Sequence, residues 1–324
     1  MASFFQRLGQ AAHSTVRPAL STIVFLLYVM IPVSLAMLIL ENSGLLHYVA
    51  RFLDPFMHFL GLPGAAALAF LSAVFLNIYS AIAVMQTLRL SGREVVILAV
   101  MCLIAHNFFV ECTVMKKTGS SLFKMVLLRL FFAFLAAWIL RFILPPAVGT
   151  GTAGAGPVFP PPLGLNLGTL PGIIKNWARD SGRLIVRIIC IVFALMFVQK
   201  LMDEFGVMRF LARIFTPLLK IFGLPFNTGY SWIVAYVAGI VYGSAILIEQ
   251  VRSGAVSRRE ADLFNHHAGI SHSHVEYTLL FVTTLGVPLV WAVLPRLAAA
   301  FIAVWLERAR RAWIRRSFQV KIMP

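Results

Sequence analysis

The sequence predicts an all-α polytopic membrane protein of two inverted-topology repeats. Each repeat should hold three spanning helices, an amphipathic interfacial helix and a re-entrant helical hairpin. Three observations lead there. First, 60% of the 324 residues are hydrophobic, 12% are charged and the mean hydropathy is +0.87, far from a soluble composition. Second, a hydrocarbon core of ~30 Å needs roughly 20 residues of helix, and apolar stretches of that order recur at 19–40, 65–88, 120–144, 181–203, 228–250 and 286–306. Strand-like alternation is absent, which argues against a barrel. Third, the chain reads almost the same way twice. RFLDPFMHFLGLPG at 51–64 returns as RIFTPLLKIFGLPF at 213–226, and RLFFAFLAAWILR from Arg129 returns as RLAAAFIAVWLER from Arg296. Duplication within a hydrophobic chain is a transporter signature, with the site where the copies meet.

The elements follow in order. Residues 1–18 are amphipathic and lack the apolar run of a cleavable signal, so they lie on the membrane surface or cap the first span, with Pro18 in its first turn. Repeat 1 covers 19–145 and repeat 2 covers 180–307, joined by a Gly/Pro-rich linker at 146–179, with no charge from Phe142 to Ile174, and followed by a basic cytoplasmic tail at 308–324. Each repeat opens with an apolar span. An amphipathic segment follows and ends in Gly61-Leu62-Pro63 or Gly223-Leu224-Pro225, where Gly stops one helix and Pro starts the next. A second span carries Tyr79-Ser80-Ala81 or Tyr242-Gly243-Ser244. The stretches from Arg93 and Arg259 are more polar and are interrupted near Ala105-His106-Asn107 and Gly269–His274, so they are read as the re-entrant hairpins. The closing spans contain Arg129 and Arg296.

Three crossings per repeat invert the second copy. Lys116, Lys117, Arg89 and Arg93 then fall inside with the C-terminus. Lys175, Arg179, Arg252, Arg258 and Arg259 fall outside, against the positive-inside trend. The net charge of +16 belongs to these span flanks, so nucleic acid is not an expected partner. Membrane lipid, a small solute or ion, and a second copy of the chain are.

The candidate chemistry sits at the two interruptions. His106, Asn107 and Glu111 align with His272, Ser273, His274 and Glu276, so each copy places a histidine shortly before a glutamate beside a helix break. Ionisable groups at membrane depth are costly and point to function. The plainer reading of Ser273-His274-Val275-Glu276 is a capping box. Arg129 and Arg296 lie too deep to snorkel, unlike Lys124, and their economical partners are Glu111 and Glu276; otherwise they face a cavity and bind an anion. Imidazole, carboxylate and thiol together suit a divalent transition metal, with His106, Glu111, Cys112, His267, His272 and Glu276 as candidate ligands and no other cofactor indicated. A proton-relay cluster of histidines uses the same residues. Cys102, Cys112 and Cys190 read as small buried hydrophobes rather than a disulfide framework. No P-loop, Gly-x-Ser-x-Gly or His-Glu-x-x-His occurs, so no enzyme is expected.

The doubled Pro…Gly-Leu-Pro unit, each followed by a span and a broken polar segment, resembles the Gate, or nucleoside-recognition, domain family. It is similar to the spore maturation membrane proteins A and B and to the permease part of the bacterial ferrous-iron transporter. The resemblance covers roughly 20–145 and 180–307, and the GTPase domain of the iron permease has no counterpart here. The resemblance implies a multi-pass protein of a bacterial or archaeal cytoplasmic membrane, with both termini inside. Its expected function is that of a permease with a central site between the repeats, carrying a divalent transition metal, or else a nucleoside or small organic anion. A non-transporting envelope or sporulation assembly factor is the reading from a different class.

Overall fold

A computed structural model describes residues 4–42, 45–151 and 170–320; most of the linker assigned to 146–179 lies outside them. The first half contains α1 (Phe4–Asn42), α2 (Leu45–Phe59), α3 (Ala66–Phe75), α4 (Ile78–Thr87), α5 (Gly92–Ile104), α6 (Phe108–Lys117) and α7 (Leu122–Ile143). The second half contains α8 (Leu170–Glu204), α9 (Val207–Phe215), α10 (Leu218–Ile221), a 3-10 turn at Phe226–Thr228, α11 (Gly229–Val237), α12 (Ile240–Arg252), α13 (Arg258–Ala268), α14 (Glu276–Leu285) and α15 (Leu289–Val320). No strand occurs among the described residues. Four segments there are long and apolar enough to cross a membrane: Gly92–Lys117, Leu122–Ile143, Pro171–Glu204 and Leu289–Ser317. The protein is therefore an all-α polytopic membrane protein. α1 starts at Phe4, so Pro18 lies inside a long helix rather than in its first turn.

The repeated motifs have repeated mechanical jobs. Gly61 (φ 79°) and Gly223 (φ 68°) are left-handed, which glycine alone adopts without strain, and each ends its amphipathic segment. The closing arginine of each repeated motif secures that end. Arg141 Nη1 donates to the carbonyls of His58 (3.1 Å) and Phe59 (2.8 Å), and Arg308 Nη1 donates to that of Gly223 (3.0 Å). The opening arginines, Arg129 and Arg296, reach the helix breaks instead.

Which segment is the hairpin differs from the sequence reading. α3 and α4 fold back on each other along their length, as do α11 and α12. Gln250 near the end of α12 bonds Ser231 Oγ (2.6 Å) and the Asn227 carbonyl (3.1 Å) near the start of α11, as an antiparallel hairpin requires. α5–α6 instead runs antiparallel to the whole of α7. Arg93 donates to the Arg141 carbonyl, Arg129 Nε to that of Ile104 (2.9 Å), and only a short turn separates Lys117 from Leu122. α13–α14 is related to α15 in the same way, through Arg311 to the Arg259 carbonyl (2.8 Å) and Arg296 to that of His272. So 92–117 and 258–285 are broken through-running helices, and 66–87 and 229–252 are the hairpins. The polarity that suggested re-entry has another cause: α13 is buried inside the protein, packed on α15, α11 and α12 of its own half and reaching polar groups of the other. Asn265 Nδ2, for example, donates to Thr118 Oγ1 (2.7 Å), Ser120 Oγ (2.9 Å) and the Met115 carbonyl (3.2 Å).

Contacts between halves fix their relative direction. Lys124 at the start of α7 pairs with Glu307 late in α15 (3.0 Å), and Ser120 bonds Asp262 early in α13 (2.6 Å). At the opposite end, Gly92 abuts the backbone of Val148 and Gly149, and Gly286 abuts Thr150. Equivalent helices of the two halves therefore run in opposite directions. This placement also corrects the charge distribution. Arg258 packs against Gly119, at the Lys116–Lys117 end, whereas Arg93 sits at the other end with Arg141.

Candidate functional site

The two helix breaks meet at the centre of the molecule. In each, the histidine ring turns back on its own preceding helix. His106 Nδ1 lies 2.8 Å from the Cys102 carbonyl, and His272 Nδ1 lies 2.7 Å from that of Ala268. A carbonyl only accepts, so each Nδ1 carries a proton; in the neutral ring each Nε2 then presents a lone pair. The next residues, Asn107 (φ 48°) and Ser273 (φ 49°), are left-handed and redirect the chain into the second half-helix. Their amides are held by the hairpins: Asn107 N–H donates to the Ala73 carbonyl (2.8 Å), Ser273 to Ala235 (2.9 Å) and His274 to Tyr236 (2.8 Å). Each hairpin thus stabilises the break of its own half.

Three acceptors converge there. Glu111 Oε1 lies 3.1 Å from His106 Nε2 and 3.3 Å from His272 Nε2, and the two Nε2 atoms are 3.2 Å apart. All three side chains are buried. Two lone pairs and a carboxylate oxygen at this spacing repel unless a cation or proton lies between them. A tetrahedral ion with bonds of ~2.0–2.1 Å places neighbouring ligands about 3.3 Å apart, close to this triangle. The imidazole–carbonyl bonds behind it are the outer support that metal-bound histidines ordinarily have. The other carboxylate oxygen, Glu111 Oε2, pairs with Arg129 Nη2 at 2.7 Å, as the sequence suggested. Arg129 also lies over the Phe108 ring at 5.0 Å.

The second arginine breaks the symmetry. Arg296 donates to the His272 carbonyl and, at 3.4 Å, approaches Thr278 Oγ1; among the described residues it has no carboxylate partner. Glu276, its expected partner, accepts the Tyr79 hydroxyl from α4. Nor does the 273–276 capping box form: among the described residues the capping boxes are Ser91/Glu94 and Ser257/Glu260, and α14 has Val275 as its N-cap and no side-chain cap. Tyr79→Phe should lower stability by about 1–3 kcal/mol, because a half-buried carboxylate loses its donor; thermal melting in detergent measures it.

A cavity of about 150 Å³ adjoins the triad, lined by Asn107, Glu111, Gln199, Ser273, Glu276 and Tyr277. The remaining candidates lie elsewhere. His267 bonds the Tyr236 hydroxyl (2.6 Å), which also reaches Ser271 (3.2 Å), and Ser271 bonds His274 Nε2 (2.7 Å). Cys112 is buried and free, and Cys190 is exposed on α8, contrary to the expectation of burial. A second acidic cluster, Asp262–His266–Glu307, already holds Lys124, Arg310 and Arg311, so it is a cross-linked ion network with little room for another cation. Tyr236, Gln199 and Tyr277 escaped the sequence reading, and Tyr79 entered it only as part of a repeated span, because single polar tips on apolar helices look like core packing.

Comparison with known proteins agrees with this architecture. The Gate family, described as nucleoside recognition, matches residues 23–121 and 185–304, one segment in each half and together well over half of the chain. The chain is also 29% identical over 268 residues to the uncharacterized membrane protein YvoD of Bacillus subtilis (strain 168), covering 82% of this chain and 83% of that protein. No solved structure matches it. With a Gate segment in each half, the chain belongs to the Gate (nucleoside recognition) family of membrane proteins.

Proposed function

We propose that this protein is a non-enzymatic permease of the cytoplasmic membrane that carries a divalent transition metal through His106, Glu111 and His272. The observation that carries the reading is the triangle of three buried acceptor atoms, with sides of 3.1, 3.2 and 3.3 Å, assembled from both halves. Neither half can bind the ion alone, since His106 and Glu111 come from one and His272 from the other. The antiparallel course of equivalent helices supports an inverted-repeat carrier, in which rocking of one half against the other would expose the central site to each side in turn. The adjoining cavity of about 150 Å³ is smaller than the ~300–1,000 Å³ of pockets that enclose organic ligands, which favours an ion over a nucleoside. The basic end that carries Lys116, Lys117, Arg258 and the C-terminal arginines is assigned to the cytoplasm, and the N-terminus falls on that side after three crossings per repeat.

The test is direct. Purified protein is equilibrated separately with Zn²⁺, Mn²⁺, Co²⁺ and Fe²⁺ and its metal content measured, and proteoliposomes loaded with a metal-sensitive dye report flux. One ion should bind per chain, with saturable uptake. His106→Ala combined with His272→Ala should lower affinity about 100-fold or more, beyond the ~10–100-fold of an outer-shell loss. Undiminished uptake by the double variant would sink the metal site. Thermal stabilisation by nucleosides, without any response to metals, would favour an organic cargo.

A further inference from the structure

Away from the central triad, α13 and the C-terminal part of α15 enclose a cavity of about 660 Å³ with an unusual lining. Arg259 comes from α13, and Arg308, Arg311, Arg315 and Arg316 come from α15; the single acidic side chain on its wall is Glu260. That carboxylate is already engaged, accepting the Ser257 amide and hydroxyl, each at 2.8 Å. As a single carboxylate it offsets at most one of the positive charges on this wall. Arg308 is positioned by the Gly223 carbonyl and by the Trp305 ring 5.4 Å away, and Arg311 by Glu307 and Asp262. Among the described residues, Arg259, Arg315 and Arg316 have no carboxylate within ion-pair distance.

Beside the carboxylate-paired Arg311, four guanidinium groups without an ion-pair partner among the described residues share one cavity, and the face that gathers them would be eased by an anion. Size and position identify its kind. The cavity is far larger than a lone phosphate ion requires, and Leu263 supplies an apolar patch beside the arginines. It lies where α15 leaves its apolar run, and Trp313 on that helix is 70% exposed, as befits an aromatic side chain at a membrane–water boundary. Basic pockets between helices at that level suit phosphorylated lipid headgroups, and arginine is the side chain best shaped to grip phosphate oxygens. We infer that this groove binds the phosphate of an anionic phospholipid headgroup, bridging α13 to α15.

This inference does not depend on the metal site. The full chain, purified in a zwitterionic detergent, is melted with added phosphatidylglycerol, cardiolipin, phosphatidylcholine or inorganic phosphate. Anionic lipid should raise the melting temperature by several degrees, more at 50 mM than at 500 mM NaCl, because surface charge pairing is screened. Phosphatidylcholine should not. Arg315→Gln with Arg316→Gln, whose side chains are exposed and unpaired, should melt like the wild type without lipid and lose most of the lipid response. Arg259→Gln, on the opposite wall, provides the second variant should the first melt early. Equal shifts from phosphatidylcholine, the same shift from inorganic phosphate alone, or an undiminished response in whichever variant keeps the wild-type melting point would each overturn the inference.

Discussion

An Arg129→Met variant should melt far below the wild type, losing about 3–5 kcal/mol, the usual result of stranding one member of a buried ion pair. Arg129 is fully buried, its Nη2 lies 2.7 Å from Glu111 Oε2, and its Nε donates to the Ile104 carbonyl at the helix break. Removing the guanidinium leaves a carboxylate at 2% exposure facing two imidazole lone pairs. Arg129→Lys should recover part of the loss, restoring charge without the fork that reaches both partners. Glu111→Gln combined with Arg129→Met should recover more, because no anion is left without a partner. Arg296→Met should cost less, about 1–3 kcal/mol, since it frees a backbone acceptor and strands no carboxylate. Added divalent metal should stabilise Arg129→Met more than it stabilises the wild type, an ion at the triad taking over the neutralisation of Glu111. Thermal melting of the four variants, with and without metal, decides it. Equal losses for Arg129→Met and Arg296→Met would show that the two halves are balanced alike, against the asymmetry of their partners.

The same asymmetry separates what was legible in the sequence from what was not. Residues that repeat proved to do the same job twice: Gly61 and Gly223 end their helices, Arg141 and Arg308 secure those ends, and the residues after His106 and His272 are both left-handed. Glu111 was paired correctly with Arg129 because the two lie one turn and half a helix apart in the same half. The hairpins were misplaced for a physical reason. Hydropathy reports what a segment is buried against, and it does not distinguish crossing from turning back. α3–α4 and α11–α12 are largely apolar where they turn, and only Asn77, which caps α4 through the Ser80 amide, and Gly239 (φ 103°) mark their turns. α13 looked too polar to cross because Asn265 serves polar groups of the other half, while His266 and His267 serve Asp262 and Tyr236 of their own. Exchanging these roles brings Arg258 to the Lys116–Lys117 end and removes much of the charge conflict that the sequence reading had left standing. Partners supplied from distant elements, such as Tyr79 for Glu276, leave no local pattern to read.

Gly182→Ala and Gly243→Ala make one chemical change with opposite expected results. Gly182 lies within α8 with nothing near the position of an added Cβ, so alanine there should stabilise by about 0.5–1 kcal/mol through reduced backbone freedom in the unfolded chain. At Gly243 the added Cβ would stand 2.6 Å from Ala235 Cβ and 2.7 Å from the Ser231 carbonyl oxygen, both on the facing helix α11. Two backbones that must separate give an overpacking cost of about 1–3 kcal/mol. The damage should also reach the site, because the Ala235 and Tyr236 carbonyls at the end of α11 hold the Ser273 and His274 amides just beyond His272. Shifting that hairpin loosens the turn that aims His272 at Glu111, so metal affinity should fall along with the melting temperature. The first half offers the control: Ser80 stands at the position equivalent to Gly243, showing that its hairpin already accommodates a side chain, so Ser80→Ala should leave metal affinity unchanged. If Gly243→Ala melts lower yet binds metal like the wild type, the hairpin is packing support alone. If both properties fall together, it sets the geometry of the second histidine.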